Sequence, residues 1–461
     1  MRWRLAPLLC LALAGAASAA ELRGASPAKA TDLLALYEDL HAHPELSFQE
    51  VRTAARLADE ARALGFEVTT GVGRTGVVAV LRNGPGPVVM IRADMDALPV
   101  FEETGLPFAS KVTATTPEGA TTGVMHACGH DLHMAAWVGT ARRLVSQRDS
   151  WAGTLVMIGQ PAEERGGGAL AMLADGLYTR FPKPDYVLAL HSHAAMPVGM
   201  IAYSNGYALA NVDSVDLDIL GVGGHGAYPQ VAKDPVMLAS RTVVALQELA
   251  AKESQQGGPA VISVGSIHGG NKHNIIPDEV RLQLTVRSYG DASRARLLDG
   301  IRRIAEGEAT AAGFPRDRMP VMSVADDFTP ATFNTDRLTR HIGALFAERF
   351  GKDKVILMPA VMGGEDFSEY YRADRSIESL IFWLGTVDPD AWRAAKGNPS
   401  KLPAQHSSRF APDAAPTIAM GVEAMSSAAL GLFGRDARPL PPATLAMKPA
   451  RKRTTVSAGS R

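Results

Sequence analysis

Cysteine is nearly absent from this 461-residue sequence, which contains Cys10 and Cys128 and no others. Cys10 lies in an N-terminal stretch that we expect to be removed, so only Cys128 remains in the mature chain. One cysteine cannot form an intramolecular disulfide, which excludes a disulfide-stabilised scaffold. Cys128 is therefore either a small buried residue or a chemically active one, and its neighbours decide between the two.

A net charge of either sign is also missing, because 47 Lys and Arg residues oppose 48 Asp and Glu residues. No overall field would attract nucleic acid or an anionic membrane, so we expect no nucleic-acid partner and recognition by a local site. Hydrophobic residues make up 46% of the chain and charged residues 21%, a composition that can bury a core. The length favours two domains.

The N-terminal apolar run is too short to span a membrane, since residues 5–14 fall well below the roughly 20 residues that a transmembrane helix needs. Arg2 and Arg4 precede this run and the small residues 17–19 follow it, which is the pattern of a cleavable signal peptide. We therefore predict a signal peptide at residues 1–20, a periplasmic or secreted protein, and no integral membrane span.

Short apolar strands alternate with helices over most of the chain, for example the strands predicted at 87–91, 155–159 and 186–190. This alternation favours an α/β fold in which a mainly parallel sheet is covered on both faces. Residues 209–328 instead predict the order βαββαβ, a ferredoxin-like arrangement inserted into the larger domain.

Residues 125–133 contain three histidines, a cysteine and an aspartate within nine positions. A lone histidine is more often structural than a ligand, but this density is hard to explain in that way. Thiolate and imidazole are preferred ligands of zinc and related metals. Gly129 permits a sharp turn, so Cys128 and His130 can face one point. The segment predicts a metal site.

Acidic and histidine side chains also follow the predicted strands. Asp94, the pair Glu163 and Glu164, and His191 each come after one of the three strands named above. The carboxyl ends of parallel strands form the binding crevice of an open sheet, so we expect these side chains to meet. One carboxylate of the pair can bind metal while its neighbour accepts a proton. His406, late in the chain, is a further candidate ligand.

Seven segments of the chain carry motifs that occur together in one known family. They are HAHPELS at 41–47, RADMDALP at 92–99, CGHDLH at 128–133, PAEE at 161–164, GHGA at 224–227, NIIP at 274–277 and GEDF at 364–367. In this order they resemble the metal-dependent aminoacylase and carboxypeptidase superfamily. The most similar branch contains hippurate hydrolases, N-acyl-amino-acid amidohydrolases and auxin-conjugate hydrolases, and the resemblance extends over about residues 33–432.

The resemblance implies a catalytic domain with an inserted lid that often mediates dimerisation, so a homodimer through the lid is possible. The implied division is a signal peptide at 1–20, a catalytic domain at 31–208 and 329–434, a lid or dimerisation domain at 209–328, and a mobile basic tail at 435–461. Two divalent metal ions are implied, and the ligand types suit zinc, manganese, cobalt or nickel.

The resemblance also implies a role for each site residue. Cys128 would bridge two metal ions, and the further ligands would be His130, Glu164, His191 and His406. Glu163 would be the general base and acid, and Asp94 would lie behind the ligands. His225 and Asn274, both from the lid, would hold the scissile carbonyl. Relatives often carry proline where this chain has Ala194, but the histidine register is kept. His191 is therefore the expected ligand and His193 is not.

Together these observations predict an enzyme, a metal-dependent amidohydrolase that acts on small N-acyl amino acids of the hippurate type. A dipeptidase or carboxypeptidase acting on short peptides is one alternative, and a catalytically inactive metal-binding or solute-binding protein is another. Glu163 argues against the inactive protein, because metal binding alone needs no second carboxylate. Arg287, at the end of a predicted lid strand, is a candidate for binding the substrate carboxylate, with an exposed structural role as an equal alternative.

Overall fold

The computed structural model describes residues 27–434 except 118 and 326–327. The predicted signal peptide and the predicted basic tail both lie outside these residues. The helices are α1 (Pro27–Ala42), α2 (Val51–Ala63), α3 (His130–Ser146), α4 (Gly168–Ala174), α5 (Leu177–Arg180), α6 (Pro235–Gln256), α7 (Asp291–Ala311), α8 (Asp336–Phe350), α9 (Ser368–Ala373), α10 (Pro389–Ala394) and α11 (Ala414–Phe433).

The strands follow the same numbering in chain order. They are β1 (Glu67–Val72), β2 (Gly76–Asn83), β3 (Val88–Asp94), β4 (Thr113–Thr115), β5 (Thr121–Gly123), β6 (Gly153–Gln160), β7 (Tyr186–Pro197), β8 (Ile201–Tyr203), β9 (Gly206–Tyr207), β10 (Asn211–Leu220), β11 (Gly224–His225), β12 (Val261–His268), β13 (Ile275–Ile276), β14 (Glu279–Ser288), β15 (Val321–Val324), β16 (Phe333–Asn334), β17 (Val355–Leu357) and β18 (Glu378–Val387).

Eight strands form a central sheet in the order β1-β2-β6-β3-β7-β18-β8-β17. Its middle is parallel, because β3 pairs in parallel with β6 and β7, and β7 with β18. Antiparallel pairs flank this middle, at β1–β2 and β2–β6 on one side and at β8–β18 on the other. The predicted mainly parallel α/β sheet is confirmed, with antiparallel strands added towards its edges.

Alternate side chains of the central strands face two separate hydrophobic cores. Leu155 and Met157 of β6 pack in a core shared with α1, α2, α3, α8 and α11. Val156 and Ile158 of the same strand pack in a second core with α4, α5 and α9. Burial on both faces explains why these strands read as continuous apolar runs in the sequence.

A second sheet has the order β12-β14-β10-β15, and every pair in it is antiparallel. Helices α6 and α7 supply Leu246 and Ile301 to its core, which also contains Leu217 of β10. The chain order of these elements is βαββαβ, as the sequence predicts. The boundaries 209 and 328 of the lid stay a prediction.

Strand β7 is much longer than predicted, so the expectation that His191 follows a strand is wrong. The strand runs from Tyr186 to Pro197, and His191 lies inside it. Pairing with β3 stops at Ala189, whereas pairing with β18 continues to the end of β7. His191 is therefore the second residue past the paired edge on the β3 side, which opens that side of the strand to the site.

Helix α11 is the one described helix that is long and apolar enough to cross a membrane by length and composition. More than half of its apolar window is buried inside the protein, against α3, α8 and β18. Burial of this kind is typical of a core helix in a folded domain.

Candidate active site

The site lies where the parallel strands end and helix α3 begins. Asp94 is the last residue of β3, and Glu163 and Glu164 follow β6 after a two-residue gap. His130 is the first residue of α3. This edge of the sheet is the carboxyl edge of its parallel strands, as predicted for a binding crevice.

Gly129 forms the turn between Cys128 and His130. Its φ angle is +90°, and a Cβ atom there would lie 2.9 Å from the Ser192 hydroxyl oxygen. Glycine adopts positive φ without steric cost, and here the space is also closed to a larger residue. The predicted sharp turn is confirmed, and it places the two side chains on the same side of the helix start.

The five predicted ligands come together at this point. The Cys128 Sγ atom lies 3.3 Å from His406 Nε2 and 3.6 Å from His191 Nε2. The two Glu164 oxygens lie 3.7 Å from His130 Nε2 and 3.6 Å from His406 Nε2. Glu164 thus belongs to two groups of donors, one with Cys128 and His406 and one with His130 and Glu163.

Hydrogen bonds fix which ring nitrogen of each histidine faces the cluster. The Nδ1–H of His130 donates to the Asp96 carbonyl at 2.7 Å, and the Nδ1–H of His191 donates to the Ser192 carbonyl at 2.8 Å. Each ring therefore turns its Nε2 atom toward the other donors, where a metal ion would take the place of a proton. This is the arrangement that metal-binding histidines commonly show.

His133 is close to these donors, but both of its ring nitrogens already form hydrogen bonds with other groups. Its Nδ1–H donates to Asp94 at 2.6 Å, and its Nε2 accepts the Ser192 backbone N–H at 2.8 Å. Asp94 in turn accepts from the buried Arg92. Asp94 thus holds a neighbouring ring in place, and its role behind the ligands stays a prediction.

The residues present fit a metal ion, because buried donor atoms are left without partners. The His130 Nε2 atom and the Glu164 Oε1 atom are buried and make no hydrogen bond within the described part of the chain. Buried polar atoms are nearly always paired, so two such atoms aimed at one point need an explanation. A cation between them supplies it.

The electrostatics of the cluster also favour a cation. Burial raises the pKa of Glu164 to about 8, and Asp96 and Asp94 add to the shift while His130 opposes it. Burial and the charges of Glu164 and Glu163 raise the pKa of the Cys128 thiol. Burial would lower the pKa of His130, but Asp94 and its neighbouring carboxylates raise it to about 10. Excess negative charge is what a divalent ion neutralises.

Glu163 lies beside a further acidic pair that shares one buried arginine. Glu163, Glu365 and Asp366 place one oxygen each within 4.8 Å of one another. The fully buried Arg92 contacts Glu365 at 2.7 Å and Asp366 at 3.3 Å. Because this guanidinium fills the role of a counter-ion, we assign no third metal to these acids. Burial and Glu365 raise the pKa of Glu163 well above its usual range.

A cavity of about 620 Å³ opens onto the cluster, a volume suited to one small ligand. Four of the predicted ligands and the predicted base Glu163 line it, together with Arg287 of the lid strand β14. The remaining described lining includes the apolar residues Leu209, Val212, Val361, Ile381 and Trp383. Both sheets therefore contribute to its walls.

The two lid residues predicted to hold the scissile carbonyl lie elsewhere. His225 and Asn274 are exposed and do not line the cavity in this structure. His225 pairs with Ile275 in the short β11–β13 ladder, beyond the end of the four-stranded sheet. A contact with substrate requires the lid to close or a second copy of the chain to supply these residues.

Several residues of the site received no role from the sequence. The sequence did offer a clue to Arg92, because a charged residue inside the apolar strand β3 must be paired in order to be buried. Asp96 accepts the backbone N–H groups of Glu163 and Glu164 at 3.0 Å each. Its position in the sequence, two residues after Asp94, does not predict this role. Glu365 appeared only as part of a family motif.

Comparisons with known proteins agree with this geometry. Thermostable carboxypeptidase 1 of Saccharolobus solfataricus is 35% identical over 358 residues, which cover 77% of this chain and 86% of the relative. The hippurate hydrolase of Campylobacter jejuni is 36% identical over 333 residues, covering 71% and 82%. A Bacillus subtilis crystal structure, described as a dinuclear metal binding peptidase from the M20 family, has a TM-score of 0.71 at 30% identity and covers 88% of this chain and 99% of its own.

A family model described as peptidase family M20/M25/M40 matches residues 90–399. The match includes Cys128, the Glu163–Glu164 turn and the whole inserted lid. The match ends before His406. The chain belongs to peptidase family M20/M25/M40.

Proposed function

We propose that this chain hydrolyses the amide bond of N-acyl amino acids at a centre of two divalent metal ions. Its family consists of hydrolases of amide bonds, which sets the reaction class. One observation carries the finer proposal: adjacent carboxylates on one turn have different surroundings. Glu164 contacts His130 and His406 at 3.7 and 3.6 Å and shares a donor group with Cys128, whereas Glu163 comes no nearer to His130 than 4.0 Å and lies beside Glu365 and Asp366.

Cys128, His130, Glu164, His191 and His406 would hold the metal ions. The mixed thiolate, imidazole and carboxylate set suits zinc, manganese, cobalt or nickel. When bound, two divalent ions lower the pKa of a water molecule and polarise a carbonyl group. His130 and His406 approach different oxygens of Glu164, at 3.7 and 3.6 Å, which supports two ions in preference to one.

Glu163 would move the proton in this reaction. Its carboxylate takes a proton from water at the cavity wall and returns it to the leaving nitrogen, which must be protonated to depart. The surroundings that raise the pKa of Glu163 help it to hold that proton between the two steps. Bound cations would oppose this shift and favour the ionised carboxylate that takes the proton from water.

Arg287 would bind the carboxylate of the substrate. Its Nη1 donates to the Met362 carbonyl at 2.7 Å, which fixes the guanidinium at the cavity wall. An arginine held in this way can bind a carboxylate with its remaining donors. The apolar wall that includes Val361 and Trp383 would accept the acyl group or the side chain.

A dipeptidase or carboxypeptidase activity is the second candidate, favoured by the similarity to a thermostable carboxypeptidase. Free dipeptides carry an α-ammonium group that needs an acceptor. Among the described lining residues the acids are Glu163, Glu164 and Glu365, and Arg92 already pairs with the last of these. The proposed roles occupy the first two, so a blocked amino group fits the cavity better.

A substrate panel tests the proposal. Acetyl-, benzoyl- and indoleacetyl-amino acids should be turned over by metal-loaded protein, and matched dipeptides with a free amino group should be poorer substrates. Benzoylglycinamide is the control for the carboxylate. Its KM should be higher than that of benzoylglycine, because it cannot pair with Arg287. Turnover of dipeptides alone would replace the proposal with a peptidase, and no turnover at all would favour the inactive binding protein.

We further propose that two copies of the chain associate through the lid. Most of the large hydrophobic side chains exposed on the described surface belong to residues 209–328. The most exposed of these are Val231, Val244, Met237 and Tyr228, at 71%, 68%, 60% and 58%. Concentrated exposed apolar area is typical of an interaction surface. Light scattering of purified protein tests this, with a monomer at micromolar concentration as the contrary result.

We also propose that the protein is exported and that residues 1–20 are its signal peptide. N-terminal sequencing of the mature protein should begin at Ala20 or Glu21. An intact Met1 on the active protein would exclude removal of a signal peptide.

A further inference from the structure

The turn that presents Glu163 begins with an unusual backbone conformation. Ala162 has a φ angle of +48°, in the left-handed region, and its side chain is completely buried. A non-glycine residue adopts this region only at a steric cost, so surrounding contacts must hold it there. Residue 162 determines the direction in which the next two carboxylates leave the chain.

Glu50 makes the contact that holds Ala162. One of its oxygens, Oε1, accepts the backbone N–H of Ala162 at 2.9 Å and that of Phe48 at 2.8 Å. The other oxygen accepts the hydroxyl of Thr75. Glu50 is fully buried and contacts none of the proposed metal ligands through these bonds.

The following two N–H groups are held by a different carboxylate. The two oxygens of Asp96 accept from Glu163 N–H and Glu164 N–H, at 3.0 Å each. Three consecutive amides are therefore fixed by two buried acids, which are 46 residues apart in the sequence. Asp96 secures both carboxylate residues, and Glu50 secures the left-handed residue before them.

We propose that Glu50 is a positioning residue for the general base. By holding Ala162 in the left-handed region, it directs Glu163 to the cavity wall while Glu164 stays among the metal donors. It acts through the backbone of Ala162 and not on substrate. This inference rests on the proposed function, because its effect is read in the rate of amide hydrolysis.

The hydrogen bonds of Glu50 predict which substitution at this position should preserve the reaction rate. Both backbone N–H groups donate to a single oxygen, which the amide oxygen of glutamine can replace, while its NH₂ group faces the Thr75 hydroxyl. Glu50→Gln should therefore keep kcat within about threefold of wild type. Glu50→Leu has a similar size and no acceptor. A catalytic group displaced by about 1 Å can lose a hundredfold in rate, so we expect kcat to fall at least about tenfold.

Glu45 provides a matched control in the same segment. Its two oxygens accept the backbone N–H groups of Arg52 and Thr53 at the start of α2, at 3.0 and 2.8 Å. Glu45→Leu thus removes a carboxylate that holds two amides, and these amides belong to α2 and not to the turn at residues 162–164. It should lower stability and leave kcat unchanged.

The experiment measures kcat, KM and metal content for the wild type and the three variants, with benzoylglycine as substrate. We expect a low kcat, an unchanged KM and full metal content for Glu50→Leu alone, since Asp96 still holds Glu164. If Glu50→Leu does not fold, Glu50→Asp replaces it, because the shorter side chain keeps the charge but withdraws the acceptor.

Three results would overturn the inference: an unchanged kcat in Glu50→Leu, equal losses in Glu50→Gln and Glu50→Leu, or loss of metal together with kcat. A wild-type protein that hydrolyses none of the panel would instead refute the proposed function, so the two failures are distinguishable.

Discussion

At the scale of single residues, histidine side chains have different roles because their surroundings differ. His130 and His191 each donate from Nδ1 to a backbone carbonyl and keep Nε2 for the cluster. His133 has both nitrogens in hydrogen bonds. Composition alone cannot separate these three histidines, because the difference lies in which partner reaches each ring.

Cys128 gives the first prediction at this scale. Cys128→Ser should weaken metal binding at least about tenfold and lower activity with it, because a neutral hydroxyl is a much poorer ligand than a thiolate. Metal content after dialysis, measured by elemental analysis, checks this beside the turnover of benzoylglycine. A serine variant that keeps both metals and full activity would show that the thiol is structural.

At the scale of elements, a buried histidine links α1 to the start of α3. His41 lies between Asp131 at 2.7 Å and Glu102 at 3.0 Å, and all three side chains are buried. Burial would lower the pKa of His41, but these carboxylates raise it to about 10. The ring therefore carries a positive charge at neutral pH and donates from both nitrogens.

This ion pair predicts a pH dependence of stability. The folded-state pKa of His41 lies above its ordinary value of 6.5, so its contribution is complete below pH 6.5 and is lost as the pH rises through about 10. At pH 6 the substitution His41→Gln should lower the unfolding free energy by roughly 3–5 kcal/mol, and this difference should shrink on the way to pH 10. Denaturant unfolding of metal-loaded protein measures it.

His43→Gln is the matched control, since His43 is exposed and its Nδ1 contacts only the Asp39 carbonyl and, more weakly, its carboxylate. That variant should show a small difference at every pH. A His41→Gln difference that does not change between pH 6 and pH 10 would contradict the charged assignment.

The lid gives a second prediction at this scale. His225→Ala should lower kcat on the order of a hundredfold and leave the metal content unchanged, because one donor to the developing oxyanion is lost. Since His225 lies outside the cavity, the contact depends on lid closure or on a second copy. Mixing His225→Ala with Glu163→Gln chains separates these routes, because activity recovers only if partners exchange residues between sites.

Loss of metal in His225→Ala would place that histidine among the ligands. An unchanged kcat would remove it from the reaction.

The sequence predicts elements better than their ends. Continuous apolar runs identified β6 and β7 because burial on both faces removes polar residues from such strands. The end of β7 was missed, since it depends on pairing with β18, nearly 200 residues later. Asp96 and Glu50 had no signal of their own, because their roles depend on backbone N–H groups that only the folded turn brings to them.

At the scale of the whole molecule, the cavity is built by both sheets. Cys128 and Glu163 come from the catalytic part of the chain, and Arg287 comes from the inserted lid. A substrate held between them would contact metal donors on one side and the arginine on the other. Binding of substrate and orientation of the two domains are thus coupled, which is a common way to exclude water before hydrolysis.

The family resemblance predicted the residues that gather in the donor cluster, but not the position of the lid. Arg287 lines the cavity, and His225 of the same domain does not. Motifs report which residues a family keeps, whereas the distance between two domains depends on packing across their junction. That difference explains why the metal cluster followed from the sequence and the lid contacts did not.

The central claim is that Glu163 moves the proton while Glu164 binds metal, and one pair of variants tests it most directly. Metal content and steady-state kinetics are measured together for Glu163→Gln and Glu164→Gln. Glu163→Gln should keep two metals and bind substrate with kcat lowered roughly a hundred- to ten-thousandfold, because an amide cannot carry the proton. Glu164→Gln should lose metal. A metal-replete, fully active Glu163→Gln protein would contradict the account.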